Sequence, residues 1–160
     1  MRASDDKRRL ASSVVDRLLH EPGDMRSLPT AGQDIRQLKL SVRRDLENLL
    51  NTRRRCVESP ADYRELRDSL VEYGIPDFTG LNMSVPAERE RARLEIERVI
   101  RRYEPRLKSV AVTVQTNANK FDRTLRLRIT GVLRTEPIPE RVVFDSELEP
   151  AMGIEIKAVS

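Results

Sequence analysis

An α+β domain, helices first and a mostly antiparallel sheet after them, is predicted by two changes of rhythm along the chain. Up to about residue 104 the apolar residues recur every three to four positions, which places them on one side of a helix. Beyond Pro105 they recur every second position, which places them on one face of a strand. The helical and strand patterns are segregated rather than interleaved, which argues against a parallel sheet with crossover helices.

The first periodic segment is SVVDRLLHE, where Val14 and Leu18, Val15 and Leu19 repeat at i and i+4 with Leu10 one turn earlier. EPGDMRSLPTAGQ follows, with two prolines and two glycines, and reads as a connection. Residues 1–33 are therefore expected to form a helical arm and flexible linker, and 34–160 a single domain. From Asp34 onward Ile35, Leu38, Val42, Leu46 and Leu49 make one helical stripe, with Arg36, Arg43, Arg44 and Glu47 outside it. Asn51 suits the C-terminus of that helix through its tolerance of a left-handed turn. Arg53, Arg54 and Arg55 suit the negative end of its dipole.

SPADYRELRDSLVEYGIP carries the punctuation of another helix: Ser59 as N-cap, Pro60 at the first position, and Gly74 with Pro76 as the stop. Tyr63, Leu66 and Leu70 are its expected buried stripe. Pro86 opens a further helix with Ala92, Ile96, Val99, Ile100 and Tyr103 on one face, and Pro105 disfavours helix at Glu104. Val110, Val112 and Val114 then alternate with Ala111, Thr113 and Gln115, and Leu125, Leu127 and Ile129 with Arg126, Arg128 and Thr130. NANKFDRT supplies turn residues between them. RVVFDSEL and GIEIKAV give two more strands.

Composition narrows the function classes. The 160 residues suffice for about one core. With six aromatics, Tyr63, Tyr73, Tyr103, Phe78, Phe121 and Phe144, that core rests on Leu, Ile and Val. Of 30 basic residues 25 are arginine, a planar fork that pairs with carboxylates and phosphates; a GC-rich genome produces the same excess. The net charge is only +4, so the surface is mixed rather than uniformly basic. Aromatics do not interleave with the arginines as base stacking requires, which leaves a nucleic-acid-binding domain as a minor alternative. Cys56 is the one cysteine, which fits a reducing cytoplasm, and no run of about 18 apolar residues occurs.

Catalytic chemistry finds little to work with. His20 is the only histidine and no glycine-rich phosphate loop is present, so metal, triad and nucleotide sites lack their residues. Neither a cofactor nor a metal is expected. Paired carboxylates can hydrolyse glycosides, and Asp77 in GIPDF and Glu104 in YEPRL sit beside structural breaks. A general acid, however, needs an apolar pocket, and Glu104 instead has Arg106 two residues away. An internal ion pair, or a docking pair, holding the helix-to-strand corner is the better reading.

Taken together, DLENLLNTRR, YGIPDFTGLN, the corner YEPRL and the early VVDRLL resemble the TssE family of type VI secretion baseplate subunits, related to a contractile-phage wedge protein with a "lysozyme-like" label. The resemblance runs from about Val14 to the last strand. It implies a non-enzymatic subunit, with a fold like the sheath protein's connecting domain, in a cytoplasmic baseplate at the inner-membrane secretion complex. It also implies that the chain links the wedge to the contractile sheath and helps start polymerisation. The implied partners are TssF, TssG and TssK in the wedge and TssB and TssC in the sheath, without nucleic acid or membrane insertion. The family's Glu-Pro-Arg motif falls on Glu104, Pro105 and Arg106; these, with Arg53 and Arg54, are the expected partner-binding residues. A peptidoglycan-hydrolysing, lysozyme-like enzyme is the alternative.

Overall fold

The computed structural model describes residues 31–56, 62–67, 69–115, 124–135, 139–149 and 153–159. The expected N-terminal arm, the caps Ser59 and Pro60, and the turn NANKF lie outside these. Helix α1 spans Ala31–Asn51, α2 the single turn Arg64–Arg67, and α3 Pro86–Tyr103. A 3-10 turn at Leu70–Glu72 separates the last two. Strands β1 (Leu107–Val114), β2 (Leu125–Leu133), β3 (Glu140–Glu149) and β4 (Gly153–Val159) form one antiparallel sheet in sequence order.

Both long helices cover the same face of this meander, α1 over β4 and α3 over β1. The α1 stripe Leu38, Val42, Leu46, Leu49 is buried as its spacing predicts, joined by Leu50. Ala92, Ile96, Val99 and Ile100 of α3 meet the sheet's inward residues Leu107, Val110, Val112, Leu125, Leu127, Ile129, Phe144, Ile154 and Ile156 in one apolar cluster. The strand alternation therefore holds on all four strands, with a bulge in β1 between Lys108 and Ala111. Ser109 takes φ 52 there, a left-handed conformation, and the extra residue restores Val110 to the inward face.

The helix expected from Ser59 to Gly74 is the main correction. Ser69 breaks it: its hydroxyl donates to the Leu66 carbonyl at 2.8 Å and accepts the Val71 N–H at 3.2 Å, starting the 3-10 turn. The break shifts the phase beyond it, so Leu70 is 79% exposed rather than buried; Tyr63, which precedes α2, is 57% exposed against the expected burial. Ile75 and Phe78, in the loop beyond Gly74, enter the core instead. Gly74 does stop the segment, at φ +102, and a Cβ there would lie 2.3 Å from the Thr52 carbonyl oxygen. That close approach allows Ile75 to donate to Thr52 O at 2.9 Å and Arg54 to donate to Ile75 O at 2.7 Å, a short parallel bridge.

Candidate partner-binding site

The corner between α3 and β1 is built around a buried carboxylate. Pro105 ends α3, and Glu104, its C-cap, turns inward to 4% exposure. Arg106 donates from Nε to Glu104 Oε1 at 2.7 Å, and its backbone N–H donates to the same oxygen at 3.2 Å. Its Nη2 pairs with Glu104 Oε2 and, across the fold, with Asp45 Oδ2 at 2.6 Å; Nη1 donates to Ser41 Oγ at 3.2 Å. One guanidinium thus pins the middle of α1 to the start of the sheet. Burial works against the Arg106 charge, but the Glu104 and Asp45 carboxylates overcome it and hold the group above its ordinary pKa.

The charges alternate outward from this point. Arg44 Nη2 lies 3.3 Å from Asp45 Oδ1, so the row reads Glu104, Arg106, Asp45, Arg44, with Arg44 at the exposed end. Tyr73 stands beside the row: burial first, then the Asp45 and Glu104 carboxylates, push its hydroxyl pKa up. Its ring meets Tyr103 edge-on at 5.2 Å, and the Tyr103 hydroxyl donates to Ser69 O at 3.1 Å. The 3-10 segment is thereby fastened to the same corner.

Of the five residues expected to bind a partner, Glu104 and Arg106 are mutually satisfied and face inward. Pro105 is exposed between them. Arg53 and Arg54 do not lie in the last turn of α1; they follow it in the extended segment bridged to Ile75. Arg53 is well exposed and Nη1 sits 3.6 Å from Asp77 Oδ2, while Arg54 Nε is 3.7 Å from the largely buried Glu72. Asp77 is held below its ordinary carboxylate range, first by the Thr79 backbone N–H, which donates to it at 3.0 Å, and less by Arg53. These two arginines belong to a different patch from the corner, with at least a turn of α1 between them.

Asp45, Ser41 and Asn51 are structurally decisive and were not among the expected site residues. Ser41 and Asp45 stand at i and i+4 on the flank of the apolar stripe, a spacing that shows only that they share a face. Asn51 does not take a left-handed turn. Its side-chain amide mimics a strand, donating to Ile154 O at 2.9 Å and accepting the Ile154 N–H at 2.8 Å. Gly153, at φ +106, makes room, since a Cβ there would come 2.6 Å from Asn51 Oδ1.

The carboxylate at the corner is paired and enclosed, and no group of metal-binding residues occurs among the described residues. No helix of the described residues is long and apolar enough to cross a membrane. What the arrangement does is fix two helices and a sheet rigidly while leaving charged faces outside.

No curated protein matches the chain. Among solved structures, a chain from the baseplate complex of the type VI secretion system aligns at TM-score 0.49 and 19% identity, covering 79% of this chain and 98% of that one. Residues 36–138, beginning within α1 and ending before β3, match the family described as baseplate wedge protein gp25. With well over half its length inside that match, the chain belongs to the gp25 family of baseplate wedge proteins, structural components of a baseplate.

Proposed function

We propose that this chain is a non-catalytic joint of a type VI secretion baseplate, linking the wedge to the contractile sheath and helping sheath polymerisation begin. The family match over residues 36–138 carries the reading. The fold is consistent with it: the Arg106 clamp and Asn51 make a stiff body, and its exposed surface is charged. TssF, TssG and TssK are the proposed wedge partners and TssB and TssC the sheath partners, in a cytoplasmic baseplate at the inner-membrane complex. Partner contact at the corner would fall on Pro105 and the outer end of the charge row, because the Glu104 carboxylate has no surface to offer. Arg53 would contribute a second, separate contact.

Co-purification tests this. Pro105→Ala and Arg53→Ala remove exposed groups and spare the buried clamp, so the variants should fold normally and recover less TssF and TssG. Full recovery with both changes would take these residues out of the interface. Turnover of peptidoglycan by the purified chain would contradict the non-catalytic reading altogether.

A further inference from the structure

Both long helices lie on one face of the sheet, and α3 is fastened there by hydrogen bonds. Arg101 Nη2 donates to Val110 O at 2.7 Å, Arg93 Nη1 to Val112 O at 3.0 Å, and the Val112 N–H to Glu97 Oε2 at 3.2 Å. No helix lies over the other face among the described residues. Strand alternation and the pairing register arrange the outward side chains of that face in rows across the strands. Toward one end are Arg126, Glu147 and Glu155, and next to them Thr113, Arg128, Asp145 and Lys157. The charges of these two rows are matched among themselves: Arg126 with Glu147 at 3.3 Å, Arg128 with Asp145 at 2.7 Å, and Lys157 with Glu155 at 3.7 Å.

Toward the other end the pattern changes. The next row, Ala111, Thr130 and Val143, carries no charge, and the Thr130 hydroxyl is already given to Ala111 O at 3.2 Å. The row beyond it is Lys108, Val132 and Arg141, one residue on each of β1, β2 and β3. Val132 and Val143 are half-buried, while Lys108 and Arg141 are exposed and have no ion partner among the described residues. Opposite charges on neighbouring strands stabilise a sheet, as they do in the two charged rows. The Lys108–Val132–Arg141 row holds cations alone and gains nothing of that kind.

We infer that this end of the uncovered face is an interaction surface for an acidic amphipathic helix of a neighbouring protein. The helix lies along β2, with small apolar residues against Ala111, Thr130, Val132 and Val143 and a carboxylate on each flank for Lys108 and Arg141. The dimensions select a helix. The strands that carry the two cations, β1 and β3, are two strand spacings apart, about 9.6 Å, close to the diameter of about 10–12 Å of a helix with its side chains. Thr130 and Val132 are two residues apart on β2, about 6.6 Å, a little more than one helical turn of about 5.4 Å. A partner sheet would reach farther and lay apolar side chains on the Arg128–Asp145 pair. A small anion would meet the cations and leave Val132 and Val143 in water. This contact is additional to those proposed at Pro105 and Arg53.

Titration of the full chain with a synthetic helix, followed by NMR at each amide, tests this. The probe is an alanine-based helix with glutamates on both flanks of an alanine–leucine stripe, and its control carries lysines in their place. The glutamate helix should shift the amides of Ala111, Thr130, Val132 and Val143 and leave those of α1 unmoved. In a Lys108→Glu, Arg141→Glu variant, which changes exposed groups and spares the core, affinity for the glutamate helix should fall by about tenfold or more, and the lysine helix should bind instead. The milder Lys108→Gln, Arg141→Gln pair should give an intermediate loss. A glutamate helix that binds all three forms equally, that shifts other surfaces, or that does not bind overturns the inference. Shifts at Val132 and Val143 on concentrating the chain alone also overturn it, because a second copy then covers the face. None of these outcomes touches the proposed joint, which co-purification tests through Pro105 and Arg53.

Discussion

Arg106 shows how much one side chain can carry when its position is enclosed. Its side chain is 15% exposed and serves two carboxylates, so Arg106→Ala strands the buried Glu104 without its cation and leaves Asp45 only Arg44. Breaking such a buried pair costs about 3–5 kcal/mol, and chemical denaturation should show a loss of that size. Arg98 also makes a tidy ion pair, with Glu95 at 2.8 Å, but it is 67% exposed. Arg98→Ala should change stability by less than about 0.5 kcal/mol in the same measurement. Asp145 adds a pH dependence. The Arg128 guanidinium, bonded at 2.7 Å, holds its carboxylate below the ordinary 3.8, with help from Gln115. A depressed carboxylate stabilises the fold above its unfolded pKa, and that contribution is lost as pH falls through the lower folded value. Asp145→Asn should therefore lower stability at neutral pH and flatten the acid limb below about pH 4, as followed by thermal melts across pH.

At the scale of elements, periodicity was a sound guide wherever a residue's fate depended on its own segment. The α1 stripe, the α3 face ending at Glu104 and the alternation of all four strands are each set by one element meeting one apolar layer. The segment around Ser69 departs from its pattern because Ser69 offers its hydroxyl to the local backbone, a competition that a hydrophobic pattern does not register. Leu70, just beyond that break, is exposed for this reason. The site was legible only in half: the adjacency of Glu104 and Arg106 is visible in YEPRL, whereas Ser41 and Asp45 join them across more than 60 residues. Asn51 is another such case, reaching Ile154 over a separation of 103. Asn51→Ala leaves the Ile154 N–H and C=O without their partner and should cost about 1–3 kcal/mol. Amide exchange at Ile154 should rise by more than that at Val112, which keeps Glu97.

For the whole molecule these details converge on stiffness with selective exposure. Helix α1 is held at its middle by Arg106 and at its end by Asn51, α3 is laced to β1 by Arg93, Glu97 and Arg101, and the 3-10 segment is tied in through Tyr103. A body so braced is held in one shape, which is what the proposed joint requires. The opening arginines of the TRRR segment divide accordingly: Arg54 leans on Glu72, and Arg53 remains largely exposed. The most direct measurement of the central claim is imaging of fluorescent sheath in host cells that lack this chain. Sheath assembly should disappear and return when the chain is restored; sheaths that form at normal frequency without it would contradict a joint between baseplate and sheath.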